Sequence, residues 1–246
     1  LSLPRTNIIG VSMPGLGTTD RTYYNALSLL EGLGADARDI SIRQAVMVHF
    51  EDIGLNPAKK DVAYENAQAR ERAQILLDLG NMHGALVVGT GDLSEEALGW
   101  CTFAGDHIAN YNVNVCLTKN MIRRLVGLIH EEQLVAGTGE VLSDILDTPV
   151  SPELLPPDES GQMTQRTEEI LGSYDLHDFF LFYLLRYGLG PAKLYYYACT
   201  EFGDQMTPAE IKERLKLFFR RFFSGQFKRS CAPDSAAITD VNLLGE

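Results

Sequence analysis

The sequence predicts an α/β protein, a doubly wound parallel sheet flanked by helices, with a helical part at its C-terminal end. Three observations predict it. Short apolar runs alternate with stretches of helical period over the first half of the chain; the run Gly84 to Gly89 (G-A-L-V-V-G) is apolar throughout; and the last third is a string of helical patterns dense in aromatics. A strand without polar alternation is one covered on both faces, the habit of parallel sheets under helices.

Taken in order, Asn7 to Met13 (N-I-I-G-V-S-M) reads as a strand closed by Pro14-Gly15. A helix follows from about Asp20 to Leu33, with Ala26, Leu27, Leu30 and Leu33 on one stripe and Gly34 as its stop. Ala37 to Ile42 is a second strand-like segment and Arg43 to Ile53 a second, short helix. Asp61 to Asn81 is a longer helix, since Val62, Ala69, Ala73, Leu76 and Leu77 recur at helical spacing, and it leads into the strand Gly84 to Gly89. Beyond Asp147 the texture changes, as Pro149, Pro152, Pro156 and Pro157 interrupt any regular element. Thr148 to Gln162 is therefore a loop and the natural seam of the chain. Helices return at about Asp175 to Tyr187, Pro191 to Glu201 and Thr207 to Phe223, the last two with Pro near the first helical position. The aromatics of Phe179 to Tyr183 suit packing against the sheet or a partner subunit, and for any one of them plain core is the simpler reading.

Bulk composition excludes several classes of function. A chain of 246 residues, 45% apolar and 22% charged, suffices for one large core or two small ones. A formal charge of −12 gives no general attraction to a phosphate backbone or an anionic lipid surface, so no nucleic-acid partner and no membrane surface are expected. The apolar run Phe179 to Leu185 is far short of the roughly 20 residues that cross a bilayer. The start, Leu-Ser-Leu-Pro-Arg, has neither the charge nor the apolar stretch of a signal peptide, and it reads as a cut end. Cys101, Cys116, Cys199 and Cys231 lie far apart without a C-x-x-C, which suits a reducing cytoplasm. The five histidines show no i, i+4 pair, so a His or Cys metal site is not expected.

The chemistry is concentrated in Val87-Val88-Gly89-Thr90-Gly91-Asp92-Leu93-Ser94-Glu95. Ligands of a doubly wound sheet sit outside the carboxyl ends of its strands, and a Gly-rich turn feeding a helix presents backbone N–H groups to phosphate. Gly89-x-Gly91-x-x-Ser94 comes within one residue of the dinucleotide fingerprint of Rossmann dehydrogenases, but the context fails. That fingerprint belongs to the first βα turn and wants an acid at the end of a following strand, whereas two βα units precede this turn and no strand leads to Asp106. Asp92 and Glu95, three residues apart, read equally as Mg²⁺ donors assisted by phosphate oxygens and as helix-start carboxylates favoured by the dipole.

Several longer strings carry a resemblance. G-T-G-D-L-S-E-E-A-L-G-W at Gly89 to Trp100, Y-E-N-A-Q-A-R-E-R at Tyr64 to Arg72, D-T-P-V-S-P-E-L-L-P at Asp147 to Pro156, Q-F-K-R-S at Gln226 to Ser230 and M-P-G-L-G-T-T-D-R-T at Met13 to Thr22 are ordered and spread over nearly the whole chain. Together they resemble the synthetase domain of glutamine-dependent NAD⁺ synthetases, members of the PP-loop ATP pyrophosphatase class with the adenine nucleotide alpha hydrolase-like fold. On that basis residues 1–147 are the ATP-pyrophosphatase core, and 148–246 are the lid loop, C-terminal helices and tail of the same domain.

The resemblance implies roles residue by residue. Thr90 matches a Thr that contacts ATP. Glu95 matches an acid expected to bind Mg²⁺ or the dinucleotide. Asn66 and Arg70 look like ligands of nicotinate adenine dinucleotide, with Trp100, Cys101, Thr102 and Phe103 lining the same pocket and Asp106 joining them. Lys119 resembles a phosphate-binding lysine, Lys228 one that reaches the substrate, and Ser151 is a further nucleotide candidate. Plainer readings stand beside these: Arg70 and Arg72 alternate with Glu65 and Glu71 as a solvated salt-bridging face would, and Lys228 beside Arg229 also suits an ordinary basic tail.

The implied reaction explains the residue types. A carboxylate does not accept ammonia at neutral pH, because oxide is a poor leaving group. ATP would transfer AMP onto the nicotinate carboxylate with release of pyrophosphate, Mg²⁺ and Lys119 offsetting the phosphate charge, and ammonia would displace AMP to give NAD⁺. Glu95 and Lys119 are thus the catalytic candidates, ATP and Mg²⁺ the cofactors, and the proline-bearing loop Thr148 to Gln162 a lid that keeps water off the adenylate. The chain departs from the family pattern in two respects. The family opens with a strand and an S-G-G-x-D-S loop, and no such string occurs in these 246 residues; the glutaminase domain, with its own Glu, Lys and Cys, is likewise not among them. Ammonia would come from a glutaminase domain of the same full-length polypeptide, and a homo-oligomer is expected. Two other readings stay open, another PP-loop amidating ligase such as a GMP-synthetase-like protein, or a nucleotide-binding module left inert.

Overall fold

A computed structural model describes residues 4–156 and 167–243. The chain forms two compact units, one of Leu1–Leu76 with Arg123–Thr167, the other of Leu77–Ile122 with Glu168–Glu246.

In the first unit β1 (Ile9–Ser12) pairs in parallel with β2 (Asp36–Asp39), Ile9 opposite Asp36 and Ser12 opposite Asp39. Parallel neighbours need a crossover, and α1 (Asp20–Leu33) supplies it. Its ends are written locally: the Thr19 hydroxyl accepts from the Thr22 N–H at the start, and Gly34 closes it in the left-handed region at φ 68°. The helix lies so close to β1 that a Cβ at Gly10 would fall 2.1 Å from Leu30 Cδ2. The core forms where α2 (Arg43–Asp52) meets the start of α3 (Val62–His83): Ile42, Val46, Phe50, Tyr64 and Ala67 are buried, with the Phe50 and Tyr64 rings 5.2 Å apart. Helix α6 (Gly139–Asp147) is tied to α1 by Arg21, whose guanidinium meets the Asp144 carboxylate at 2.6 Å.

In the second unit β3 (Val88–Gly89) pairs in parallel with β4 (Tyr111–Asn112). Helix α4 (Leu93–Leu98) leaves the end of β3, and α5 (Lys119–Glu131) begins shortly after β4. After α7 (Thr167–Leu171), the C-terminal helices α8 (Tyr174–Tyr187), α9 (Pro191–Phe202), α10 (Pro208–Ser224) and the short α11 (Gln226–Arg229) follow, with Pro at the first position of α9 and α10. Phe180, Leu181, Leu194, Ala198, Ile211 and Phe218 pack with Leu93 and Leu98 of α4 into one core. The aromatics of α8 divide as their helical positions dictate: Phe180 is fully buried, whereas Phe182 and Tyr187 face solvent.

The α/β class with parallel strands and a helical C-terminal part is the one the sequence predicts. Two local expectations change. The stretch Gly84 to Gly89 is not covered on both faces: only Val88–Gly89 pair in a ladder, and Leu86 and Val88 are 64% and 52% exposed. The ladder supplies one partner strand, and of this stretch only Gly89 is buried. The second strand ends at Asp39, earlier than the apolar pattern suggests, because Ile42 turns into the core and caps α2. Of the proline-bearing segment, Thr148 to Pro156 is irregular, as predicted; Pro157 to Gln162 lie outside the described residues.

Candidate functional site

The turn that leaves β3 sets the first part of the site. A Cβ at Gly89 would stand 3.1 Å from that of Ala109, so glycine allows the strand its close approach there. Thr90 is exposed, and two residues on the chain enters α4 through a reciprocal capping box: the Asp92 carboxylate accepts from the Glu95 N–H (2.9 Å), and the Glu95 carboxylate accepts from the Asp92 N–H (3.2 Å). The helix-start reading of these acids is therefore correct, and it does not exhaust them. Lys119, at the first position of α5, places Nζ 2.5 Å from Asp92 Oδ2 and 2.7 Å from Glu95 Oε1. Its backbone N–H donates to the Ser94 hydroxyl (3.0 Å), which donates to Asp178 of α8 (2.6 Å). A single ammonium is thus clasped by two carboxylates at the end of a parallel strand.

Burial governs the electrostatics here. Asp92 has only 1% of its side chain exposed. Burial first, then the Asp92 charge, push Glu95 up to about 7, with Lys119 opposing. Burial also pulls Lys119 down, but the Glu95 and Asp92 carboxylates outweigh it and hold the ammonium above the ordinary lysine value. Hard carboxylate oxygens are the ligands Mg²⁺ prefers, so the donor chemistry of Asp92 and Glu95 fits this ion, whose two charges would match the two carboxylates. Among the described residues no group of three His, Cys, Asp or Glu is arranged to hold a metal ion by itself.

A second group of contacts joins the stretch Trp100 to Asp106 with the segment around α11. Lys228 Nζ donates to the carbonyls of Gly99 (2.8 Å) and Cys101 (2.6 Å), two of the three donors an ammonium has. The Thr102 N–H donates to Asp106 Oδ1 (2.6 Å), and burial raises that carboxyl above its usual range. The partly exposed rings of Phe103 and Phe227 lie 5.4 Å apart, and Arg221 lies over Trp100 at 4.9 Å. Burial and then Asp106 push the Cys101 thiol up to about 12, so it stays protonated and is no nucleophile. The structure thus brings Trp100, Cys101, Thr102, Phe103, Asp106 and Lys228 together, and Glu95 with Lys119.

Asn66, Arg70 and Ser151 belong to the first unit. Asn66 is half-buried and Arg70 exposed on α3. Ser151 lines a cavity of about 620 Å³ whose polar wall includes Thr18, Thr22, Arg72 and Glu153. Arg72 donates to the Met13 carbonyl (3.1 Å) and to the Thr18 hydroxyl (3.3 Å), Thr22 hydrogen-bonds the Glu153 carboxylate, and Glu153 itself sits at φ 49°. Sequence reasoning did not assign Arg72, Thr18 or Glu153 to a site, nor Asp178 and His107 of the second unit. The first three lie in strings that carry the resemblance; Asp178 sits in a helix whose pattern signals only packing.

A parallel α/β fold with a glycine-rich turn running into a buried carboxylate–lysine cluster defines an α/β protein whose charged groups gather at the carboxyl end of a strand, where such folds hold their ligands. The family described as NAD synthase matches residues 2–189, and the chain belongs to that family. It is 35% identical over 265 residues to a glutamine-dependent NAD⁺ synthetase of Mycobacterium leprae, covering 98% of this chain and 39% of that protein. It is 32% identical over 222 residues to an NH₃-dependent NAD⁺ synthetase of Hyperthermus butylicus, covering 89% of this chain and 70% of that protein. The crystal structure of a glutamine-dependent NAD⁺ synthetase from Cytophaga hutchinsonii superposes on 94% of the chain and 36% of that protein with a TM-score of 0.74 at 24% identity, a likeness of fold. The chain thus spans about two fifths of the length of the first of these relatives.

Proposed function

We propose that this chain acts as the synthetase part of an ATP-consuming amidating ligase that forms NAD⁺ from nicotinate adenine dinucleotide. The observation that carries the reading is the Lys119 ammonium held between Asp92 and Glu95 beside the exposed Thr90, in a chain of the NAD synthase family.

The nicotinate carboxylate oxygen attacks the α-phosphorus of ATP, a P–O bond breaks and pyrophosphate leaves. Ammonia then attacks the carbonyl carbon of the acyl adenylate, loses a proton and expels AMP, leaving the amide. Lys119 would turn from its carboxylates to the phosphate charge, and Thr90 would hydrogen-bond a phosphate oxygen. Asp92 and Glu95 would hold Mg²⁺, which when bound supplies electrostatic stabilisation of the phosphates. Lys228, the Phe103–Phe227 pair and Trp100 would bind the dinucleotide through charge and ring stacking. In the first unit, the cavity lined by Ser151 and Arg72 suits part of a nucleotide, while Asn66 and Arg70 are dinucleotide candidates on the resemblance alone.

The names of the relatives support two sources of ammonia. Since the M. leprae relative is glutamine-dependent and more than twice the matched length, we propose a glutaminase domain as the partner that delivers it. No helix among the described residues is long and apolar enough to cross a membrane. The four cysteines are free, which supports a reducing, cytoplasmic setting. Exposed Tyr187 and Tyr196, 60% and 70% accessible on α8 and α9, support subunit contacts in a homo-oligomer.

The test is calorimetry with nicotinate adenine dinucleotide and with ATP–Mg²⁺, followed by chromatography of a reaction supplied with ammonium. Binding of both, with NAD⁺, AMP and pyrophosphate formed in equal amounts, is the expected result. Binding without turnover would make the chain an inert nucleotide module. Pyrophosphate release driven by a purine nucleotide in place of the dinucleotide would move it to another amidating ligase.

A further inference from the structure

His107 is 4% exposed and stands at a junction of three groups. Its Nδ1 lies 2.7 Å from the Thr102 carbonyl, and its Nε2 lies 3.2 Å from both the Lys228 carbonyl and Cys231 Sγ. Cys231 Sγ is itself 3.4 Å from the same Lys228 carbonyl. Both carbonyls only accept, so a ring N–H facing each joins them. With Nδ1 alone protonated, the ring donates to Thr102 and its Nε2 accepts the Cys231 S–H; the tie to Lys228 then runs through Cys231, whose backbone N–H donates to the Lys228 carbonyl at 3.5 Å.

This junction closes a loop of contacts through one lysine. The ammonium of Lys228 rests on the Gly99 and Cys101 carbonyls, while its backbone carbonyl is fastened through His107 to Thr102, the next residue along. Both ends of Lys228 are therefore attached to the segment 99–102. A lysine side chain loses rotamer entropy on being held in one place, and Lys228 sits in a helix of only four residues, which by itself restrains it little. With its backbone pinned and two of its three ammonium donors engaged, the remaining donor is held ready for an anion.

We propose that His107 is a positioning residue for the dinucleotide: it holds the Lys228 backbone on Thr102, so that the ammonium is preset for the anionic substrate. This rests on the proposed function, in which Lys228 meets nicotinate adenine dinucleotide. His107 touches no reacting atom, acts through Lys228 and leaves the Asp92–Glu95–Lys119 cluster untouched.

The experiment is calorimetric titration of the full chain with nicotinate adenine dinucleotide and, separately, with ATP–Mg²⁺. The unsubstituted chain comes first, and failure to bind the dinucleotide there would overturn the proposed function together with this inference. Given that binding, His107→Ala is expected to weaken the dinucleotide about tenfold and to change ATP affinity less than twofold. In a Lys228→Met background the same substitution should add no further loss, because the lysine it acts through is gone. Two conservative variants keep the test open should the alanine variant not fold. His107→Gln retains a donor that reaches the Lys228 carbonyl and should bind the dinucleotide within about threefold of the unsubstituted chain. His107→Asn reaches only the Thr102 side and should bind as weakly as His107→Ala. Equal loss of ATP and dinucleotide affinity, additivity with Lys228→Met, or Asn rescuing better than Gln would each overturn the proposal.

Discussion

The Ser94 hydroxyl donates to the Asp178 carboxylate at 2.6 Å across 84 residues of chain, and through the Lys119 N–H that Ser94 accepts it fixes where α5 begins. Asp178 also receives the Asn120 N–H at 3.4 Å. One buried hydroxyl thus couples the start of α4, after the Gly89-Thr90-Gly91 turn, to the C-terminal helices within the same compact unit. Asp178→Ala leaves Ser94 without its acceptor in a buried setting and is expected to cost about 1–3 kcal/mol. Urea unfolding of Asp178→Ala, Ser94→Ala and the double variant measures this, and the two losses should be clearly less than additive.

Removing the cation from the cluster is expected to do more. Lys119→Met leaves the Asp92 and Glu95 carboxylates facing each other in a setting where Asp92 is 1% exposed. Stripping one partner from a buried ion pair costs about 3 kcal/mol or more. Part of that loss should return in Lys119→Met/Asp92→Asn, because the uncompensated charge is then neutral. ATP binding should weaken at least tenfold in Lys119→Met, measured by calorimetry on the folded fraction.

The carboxyl of Glu95 gives the protein a definite response to pH. Its folded value is raised from 4.5 to about 7, chiefly by burial, so the folded state holds its proton more tightly than the unfolded chain does. The stabilisation from this group is complete below about pH 4.5 and is lost as pH rises towards 7. Glu96, raised to about 7 by burial and then by Asp92, contributes a slope of the same sign. Glu95→Gln should therefore flatten, and not abolish, the decline in stability between pH 4.5 and 7. Mg²⁺ needs the ionised form, so Mg²⁺-dependent ATP affinity should rise with pH through about 7 in the unsubstituted chain and be flat in Glu95→Gln. A Mg²⁺ response that ignores pH over that window would remove Glu95 as the ligand.

Gly99 supplies a test of backbone shape. It ends α4 at φ 59°, and a Cβ there would stand 2.9 Å from Gly225 Cα at the end of α10. Gly99→Ala combines left-handed strain with a backbone clash and should destabilise by about 1–3 kcal/mol. Because the Gly99 carbonyl also holds Lys228, dinucleotide binding should weaken in the same variant while ATP binding holds.

Much of the local architecture was legible in the residues themselves. Helix α1 runs over Asp20 to Leu33 as its apolar stripe and Gly34 predict, and Pro191 and Pro208 open α9 and α10. Caps, turns and helical periodicity act over three or four residues, so a short window of sequence contains their whole cause. The strings around Gly89, Tyr64 and Asp147 likewise announced the family, because they keep residue types in a fixed order whatever the surroundings. Helix α6 follows no pattern named in the sequence, and the apolar run before Gly89 reads as a strand covered on both faces, although Leu86 and Val88 lie open.

Tertiary structure alone decided which of the named residues meet. The Lys119 ammonium finds Glu95 across 24 residues, His107 finds Lys228 across 121, and Gln68 holds the Leu154 carbonyl across 86. No periodicity encodes such separations, because each pairing depends on where crossovers and core packing deliver the chain. The sequence by itself determined the fold class, the helix ends and the family; the fold determined that Asp92 and Glu95 share one lysine and that a buried histidine fastens another. The physical reason is range. Backbone preferences are settled among neighbours, whereas a buried charge must be compensated by whatever group the finished core places beside it.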